Sequence, residues 1–239
     1  MGSPGAEGYS LAEAIGRRVE EVQSRIASAC DRVGRDPAEV TLVAVTKTRT
    51  LPEVEAVLAA GVGDVGENYV QRAMERVESL GRDRCRWHLI GHLQSNKARH
   101  AVAFVDWLHT IDSEGIADEV GKRARRLERE IDCMVEVNVA GEDTKYGVGP
   151  DELRRVYEHA QAVQGIAMNG LMTIAPFVDD PEEVRSVFTR LREMRDALRD
   201  EGLPAEHLSM GMTGDYEVAV EEGSTMVRIG TALFGPRSE

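Results

Sequence analysis

The chain has 239 residues, 42% of them hydrophobic, with 42 acidic against 29 basic residues and a formal net charge of −13. That acidic balance excludes a general nucleic-acid binder, which needs a basic footprint, and no apolar run reaches the length of a membrane span. Three widely spaced cysteines, Cys30, Cys85 and Cys133, with no C-x-x-C, point to neither a zinc site nor a disulfide framework and fit a reducing, cytoplasmic setting. The opening "MGSPGAEGYS" has no charged region followed by an apolar stretch, so residues 1–10 read as a flexible leader rather than a signal peptide.

Apolar positions at Leu11, Ile15, Val19, Val22, Ile26 and Val33 predict a helix over 11–33. "TLVAVTK" (41–47) then reads as a buried strand, and "LPEVEAVLAAG" as a helix with Pro52 in its first turn and Gly61 as its stop. Strand-like "DVGEN" precedes the amphipathic "YVQRAMERVESLG". "RWHLIG" is a strand, "QSNKARHAVAF" a helix and "WLHTID" a strand. The charged helix "SEGIADEVGKRARRLERE" has Ser113 as N-cap. "CMVEVNV", "AMNGLMTI", "HLSMG" and "MVRIGT" complete the strands, separated by the helices 149–163, 179–202 and 215–223. Eight strands alternating with helices predict a single (β/α)8 barrel over residues 11–239, with a doubly wound open sheet as the other possibility. Little chain follows strand eight, so the extra N-terminal helix is expected to cover that side.

In a barrel, Lys47 shares the inward face with Val43 and Val45 and stands at the C-terminal end of strand one, where barrel enzymes carry their sites. A lysine walled by apolar side chains can act as an amine nucleophile, although many strand-end lysines are simply solvated. "SMGMTGD" (209–215) brings Ser209, Gly211 and Thr213 to the top of strand seven, and "RIGTALFG" (228–235) brings Gly230 and Thr231 to the top of strand eight. Glycines and hydroxyls on these two loops suit a phosphate. Phosphate cradle and lysine together suggest pyridoxal 5′-phosphate (PLP), with Lys47 forming a Schiff base to its aldehyde. Arg228, two residues before Gly230, also faces inward. Its partner is either the cofactor's pyridine nitrogen, which it would keep unprotonated, or a buried acid.

These segments, with "AVTKT" around Lys47, "GENYVQ" (66–71), "WHLIGHLQSNK" (87–97), "VNVAGEDTKYG" (137–147), "GLMTIAP" (170–176) and "LSMGM" (208–212), occur in an order that resembles the pyridoxal phosphate homeostasis protein family. The resemblance covers nearly the whole chain after the leader. It implies a barrel like the N-terminal domain of alanine racemase and PLP on Lys47. It also implies Asn68 beside the cofactor, contacts from Ser209, Met210, Gly211, Gly230 and Thr231, and Arg228 near the ring nitrogen. The family usually has serine where Thr213 stands, and an acid is common where Arg72 stands.

"GVGDVG" (61–66) follows a helix and precedes a strand, the reverse of a dinucleotide fingerprint. His88 and His92 lie on and just beyond a strand, so their spacing does not converge on a metal, and His88 is expected to make a structural hydrogen bond. Asn96 and Lys97 read either as binding an anion or bracing the site, or as a solvated helix face, and Lys122 and Lys145 read as solvated. Two roles remain. One is an intracellular PLP carrier that buffers the aldehyde and passes it to the apo forms of PLP-dependent enzymes, as a monomer. The other is a PLP-dependent amino-acid racemase or decarboxylase. Racemisation needs a base on both faces of the cofactor, and the related two-domain racemases draw the second from another domain, which this chain lacks. That difference favours the carrier.

Overall fold

The computed structural model describes residues 9–142 and 146–236. Residues 1–8 of the expected leader, and Lys145, lie outside them. A long helix α1 (Leu11–Val33) precedes eight strands: β1 (Thr41–Val45), β2 (Asp64–Glu67), β3 (Arg86–Leu89), β4 (Trp107–Ile111), β5 (Ile131–Glu136), β6 (Ile166–Met172), β7 (His207–Ser209) and β8 (Met226–Ile229). Each strand pairs in parallel with the next, and β1 also pairs with β8. The sheet is therefore a closed barrel, and an open doubly wound sheet is excluded. The crossovers carry α2 (Leu51–Ala59), α3 (Val70–Leu80), α4 (Ala98–Ala101), α5 (Glu114–Arg126), α6 (Pro150–Ala162), α7 (Arg185–Asp200) and α8 (Tyr216–Glu221), and one turn of helix, α9 (Thr231–Phe234), follows β8.

Strand alternation divides the core. Val43 joins Trp107, Met134, Met172 and Met226 inside the barrel, while its neighbour Ala44 packs outward with Ile15, Val19 and Val22 of α1. The interior is thus a packed plug and not a pore. Ser10 caps α1 in a reciprocal capping box with Glu13, and Gly34, in the left-handed region at φ 69°, ends it. The helix lies against α2, α8 and α9, covering the side where the last crossover is short. Each fully buried side chain of its Ile15–Val19–Val22–Ile26 stripe contributes about 1.5–3 kcal/mol. Arg25 and Arg32 pair with Glu217, and Arg32 also with Glu221 on α8. These half-exposed pairs fix how α1 sits more than they stabilise it.

Three elements differ from the sequence expectation. Pairing of β1 stops at Val45, so Lys47 belongs to the following turn. The segment 94–104 is a 3-10 turn, Ser95–Lys97, followed by the single turn α4, because Ser and Asn compete with helical hydrogen bonds through their side chains. The helix expected over 113–130 ends at Arg126. Arg129 reaches back instead, its Nη1 donating to Val102 O and its Nη2 to Val105 O, and so turns the chain into β5.

Candidate functional site

Two cavities open at the C-terminal ends of the strands, the end on which sites form in this architecture. The first, about 380 Å³, has Val45 and Lys47 on one wall, Arg228, Gly230 and Thr231 on the next, and Met212–Asp215 on a third. Lys47 keeps the parity of Val43 and Val45 although it lies beyond the ladder. The turn that presents it is tightly held. Thr46 N donates to Gly66 O at 3.0 Å, and Arg49 N to Thr46 O at 3.0 Å. Glu67, at the end of β2 and 1% exposed, accepts from Thr46 Oγ1 and from Arg76 Nε, both at 2.6 Å. Arg76 also donates to Thr46 O at 3.0 Å and to Arg49 O. Arg49 in turn donates to Gly235 O at 2.7 Å and lies over the Phe234 ring.

Sequence reasoning missed Thr46, Glu67 and Arg76. A signal was present: Arg76 falls three residues after Ala73 on the buried face of α3, where a cation needs an acid. The turn also stores strain, since Thr48 is β-branched yet sits at φ 67°. Thr48→Gly is expected to raise unfolding free energy by about 1 kcal/mol, the released strain being partly offset by a more flexible unfolded chain. Urea denaturation measures it.

The opposite wall is open by composition. A Cβ at Gly214 would meet nothing within 4 Å, and one at Gly230 would meet only Val45, 3.5 Å from its O, so side chains at these cavity-lining positions would fill the space. Thr213 Oγ1 accepts from Ala232 N at 3.3 Å and ties the two loops together. Gly211 has φ 96°, and a Cβ there would lie 2.6 Å from Ala219 Cβ. Its absence is what lets α8 close against this loop.

The structure places Ser209 and Met210 below this wall and not on it. Both are fully buried. Met210 N donates to Met226 O at 3.2 Å, and Ser209 Oγ belongs to a polar chain inside the barrel. The loop residues that face the cavity are instead Met212–Asp215. The physical reason is strand parity: Ser209 still belongs to β7 and points inward.

Arg228 forms the floor. It is 4% exposed, donates to Ser209 Oγ at 2.7 Å and Thr173 O at 2.9 Å, and faces Glu136 and Asp215. Burial brings its guanidinium down to about 10, so it remains charged at neutral pH. From Ser209 the chain continues: His109 Nδ1 is 2.8 Å from Ser209 Oγ, His88 Nδ1 is 2.9 Å from His109 Nε2, and His88 Nε2 is 2.8 Å from Asp64 Oδ1. Arg86 closes it on Asp64 Oδ2 at 2.8 Å. Burial, together with His88 and Arg228, pushes His109 well below the usual imidazole range. Burial works against the Asp64 carboxylate, but hydrogen bonds from His88 and Arg86 outweigh it and hold the group below its usual range. Arg228 can only donate and the Asp64 carboxylate can only accept, so Arg228 donates to Ser209 Oγ and His88 Nε2–H donates to Asp64, while a neutral His109 bridges Ser209 and His88 with one ring nitrogen donating and the other accepting. His88 therefore makes the structural bond expected of it, and His92 instead lies 2.9 Å from Asp112 Oδ2.

Residues 18–238 match the family of the alanine racemase N-terminal domain. A pyridoxal phosphate homeostasis protein of Aquifex aeolicus is 42% identical over 221 residues, 92% of this chain and 97% of that one. The chain belongs to the pyridoxal phosphate homeostasis protein family. A pyridoxal phosphate homeostasis protein of Pseudomonas aeruginosa is 38% identical over 93% of this chain and 96% of its own. PipY of Synechococcus elongatus, solved with PLP bound, superposes with a TM-score of 0.81 at 33% identity and covers 92% of this chain and 100% of its own. The homeostasis-protein fold is therefore the alanine-racemase-type barrel expected from the sequence.

Proposed function

We propose that this chain binds PLP in the Lys47 cavity and serves PLP homeostasis, holding the cofactor for the apo forms of PLP-dependent enzymes and acting as a monomer in the cytoplasm. Among the described residues no helix is long and apolar enough to cross a membrane. The observation that carries the reading is Lys47 held by a locked turn opposite a cradle left open at Gly214 and Gly230. The residues fit the cofactor. When bound, PLP supplies an aldehyde that condenses with a primary amine. Lys47 supplies the amine. Backbone N–H groups at 213–214 and 230–231, with the Thr213 and Thr231 hydroxyls, suit a phosphate. Arg228 has two of its five N–H groups committed to Ser209 and Thr173 and carries no acceptor, so it can donate to a ring nitrogen but cannot deliver a proton to it at neutral pH. That leaves the ring a weak electron sink and favours holding over turnover. Asn68 also lines the cavity.

Borohydride treatment of the PLP-loaded protein, followed by peptide mapping, should find the reduced adduct on Lys47. An adduct on Lys97 or Lys145 would overturn the assignment. Thr231→Val is expected to weaken PLP more than pyridoxal, by about tenfold if one charge-assisted hydrogen bond to the phosphate is lost; equal losses for both ligands would remove Thr231 from the phosphate site. Against an amino-acid racemase, α-proton exchange of L- and D-amino acids in deuterated water should stay negligible while a PLP-free acceptor enzyme regains activity. Rapid exchange with inversion would restore the enzyme reading.

A further inference from the structure

The second cavity, about 430 Å³, is not used by the reading above. It lies beside the first and shares Asn68, Ile90 and Ile174 with it. Glu136, the last residue of β5, lines it and is 5% exposed, yet its Oε2 is buried with no hydrogen-bond partner. Asn68 Oδ1, on the shared wall, is likewise buried and unpartnered. Both unmatched atoms are acceptors, and a buried acceptor without a donor carries a desolvation penalty that a ligand can remove. The ligand group that matches two acceptors lining one cavity, one of them a carboxylate, is a multiple donor with positive charge, such as an ammonium.

The rest of the lining has the opposite character. Lys97, Gln94 and Gln71 bring donors to the same cavity, and Lys97 has no ion pair with a described carboxylate. His92 and Tyr146 add a flat wall, their rings stacked with centroids 4.0 Å apart and planes 9° from parallel. His92 Nδ1 lies 2.9 Å from Asp112 Oδ2 without making a hydrogen bond, so this ring adds an unmatched nitrogen to the lining.

We propose that this cavity binds a small molecule carrying both a primary ammonium group and a carboxylate, in chemical class an α-amino acid, with its ammonium on Glu136 and Asn68 and its carboxylate toward Lys97. The site goes beyond the cofactor reading and does not rest on it. Burial raises the Glu136 carboxyl to about 7, with Arg228 pulling it down and Asp112 pushing it up, so near neutral pH much of it carries a proton. An ammonium seated against it expels that proton.

The test is calorimetric titration of the full-length, PLP-free Lys47→Ala chain with L-phenylalanine, in two pH 7 buffers of different ionisation enthalpy. 3-Phenylpropionate lacks the ammonium and 2-phenylethylamine lacks the carboxylate. Phenylalanine should bind with proton release. Phenylethylamine should bind more weakly but still release a proton, and phenylpropionate should do neither. Adding Glu136→Gln should weaken phenylalanine at least about tenfold and abolish the proton release. Adding Lys97→Ala, an edit at the cavity rim, should weaken phenylalanine severalfold and leave phenylethylamine unchanged. Absence of phenylalanine binding, binding of phenylpropionate as tight as that of phenylalanine, or binding without proton release would overturn the proposal. Because Lys47 is absent, these outcomes are independent of whether PLP attaches to it.

Discussion

Arg76→Ala is expected to destabilise the protein by about 3–5 kcal/mol and to impair PLP attachment at Lys47 together with it. The change leaves Glu67, 1% exposed, without the cation that bonds its Oε1 at 2.6 Å. Breaking one side of a buried pair leaves an uncompensated charge, which is where this magnitude comes from. It also removes the donor to Thr46 O and Arg49 O, two carbonyls of the turn carrying Lys47. Thr46 Oγ1 remains on Glu67, so the turn loosens but is not lost. Arg76→Lys keeps the charge but cannot reproduce contacts made through Nε and Nη2 together, and should recover only part of the loss. Urea unfolding gives the stability, and the rate of borohydride-trapped PLP attachment gives the site effect. A variant as stable as the parent would mean that Glu67 finds another partner.

What could be read from the sequence follows from the range of each interaction. The β-branched run at Thr41–Val45, the glycine that stops the run Met226–Ile229, and the apolar stripe of α1 are local signals, and they placed the barrel's elements. Strand parity placed Lys47 and Arg228 at the same end. It also located Gly230 and Thr231, which face the cavity. Position at a strand end misled at Ser209, expected at the top of strand seven as a cofactor contact: it points into the interior, and Met212–Asp215 form the wall. The buried face of α3 signals that Arg76 needs an acid, but that the acid is Glu67, and that Asp64, His88, His109, Ser209 and Arg228 form one chain, depends on side chains from separate strands and a crossover helix converging. An isolated histidine or arginine in the sequence carries no trace of which strand it faces.

Glu136→Gln is expected to stabilise the protein at pH 8 by up to about 4 kcal/mol and to change little near pH 4.5. The Glu136 carboxyl titrates at about 7 in the folded chain, chiefly because it is buried, whereas in the unfolded chain it titrates at about 4.3. Between these values the folded state holds a proton that the unfolded state has lost, so stability falls as pH rises through the window and levels off above the folded value. A shift of this size, at about 1.4 kcal/mol per pH unit, gives the quoted magnitude as an upper estimate. Glutamine keeps the shape and removes the charge, so the variant lacks this slope. Arg228 loses a favourable neighbour in the exchange but retains Ser209, Thr173 and Asp215. Asp64 does not confuse the measurement: its carboxyl is depressed, so its contribution is lost only as pH falls through its lowered value, on the acid side of the window. Urea unfolding of both proteins at pH 5 and pH 8 reads the effect as a difference of differences. An equal stability change at the two pH values would mean that Glu136 ionises at its ordinary value and that its unmatched Oε2 is hydrated. A gain confined to high pH would mean that the empty fold carries an uncompensated anion at the floor of the second cavity, the charge that a bound ammonium group neutralises.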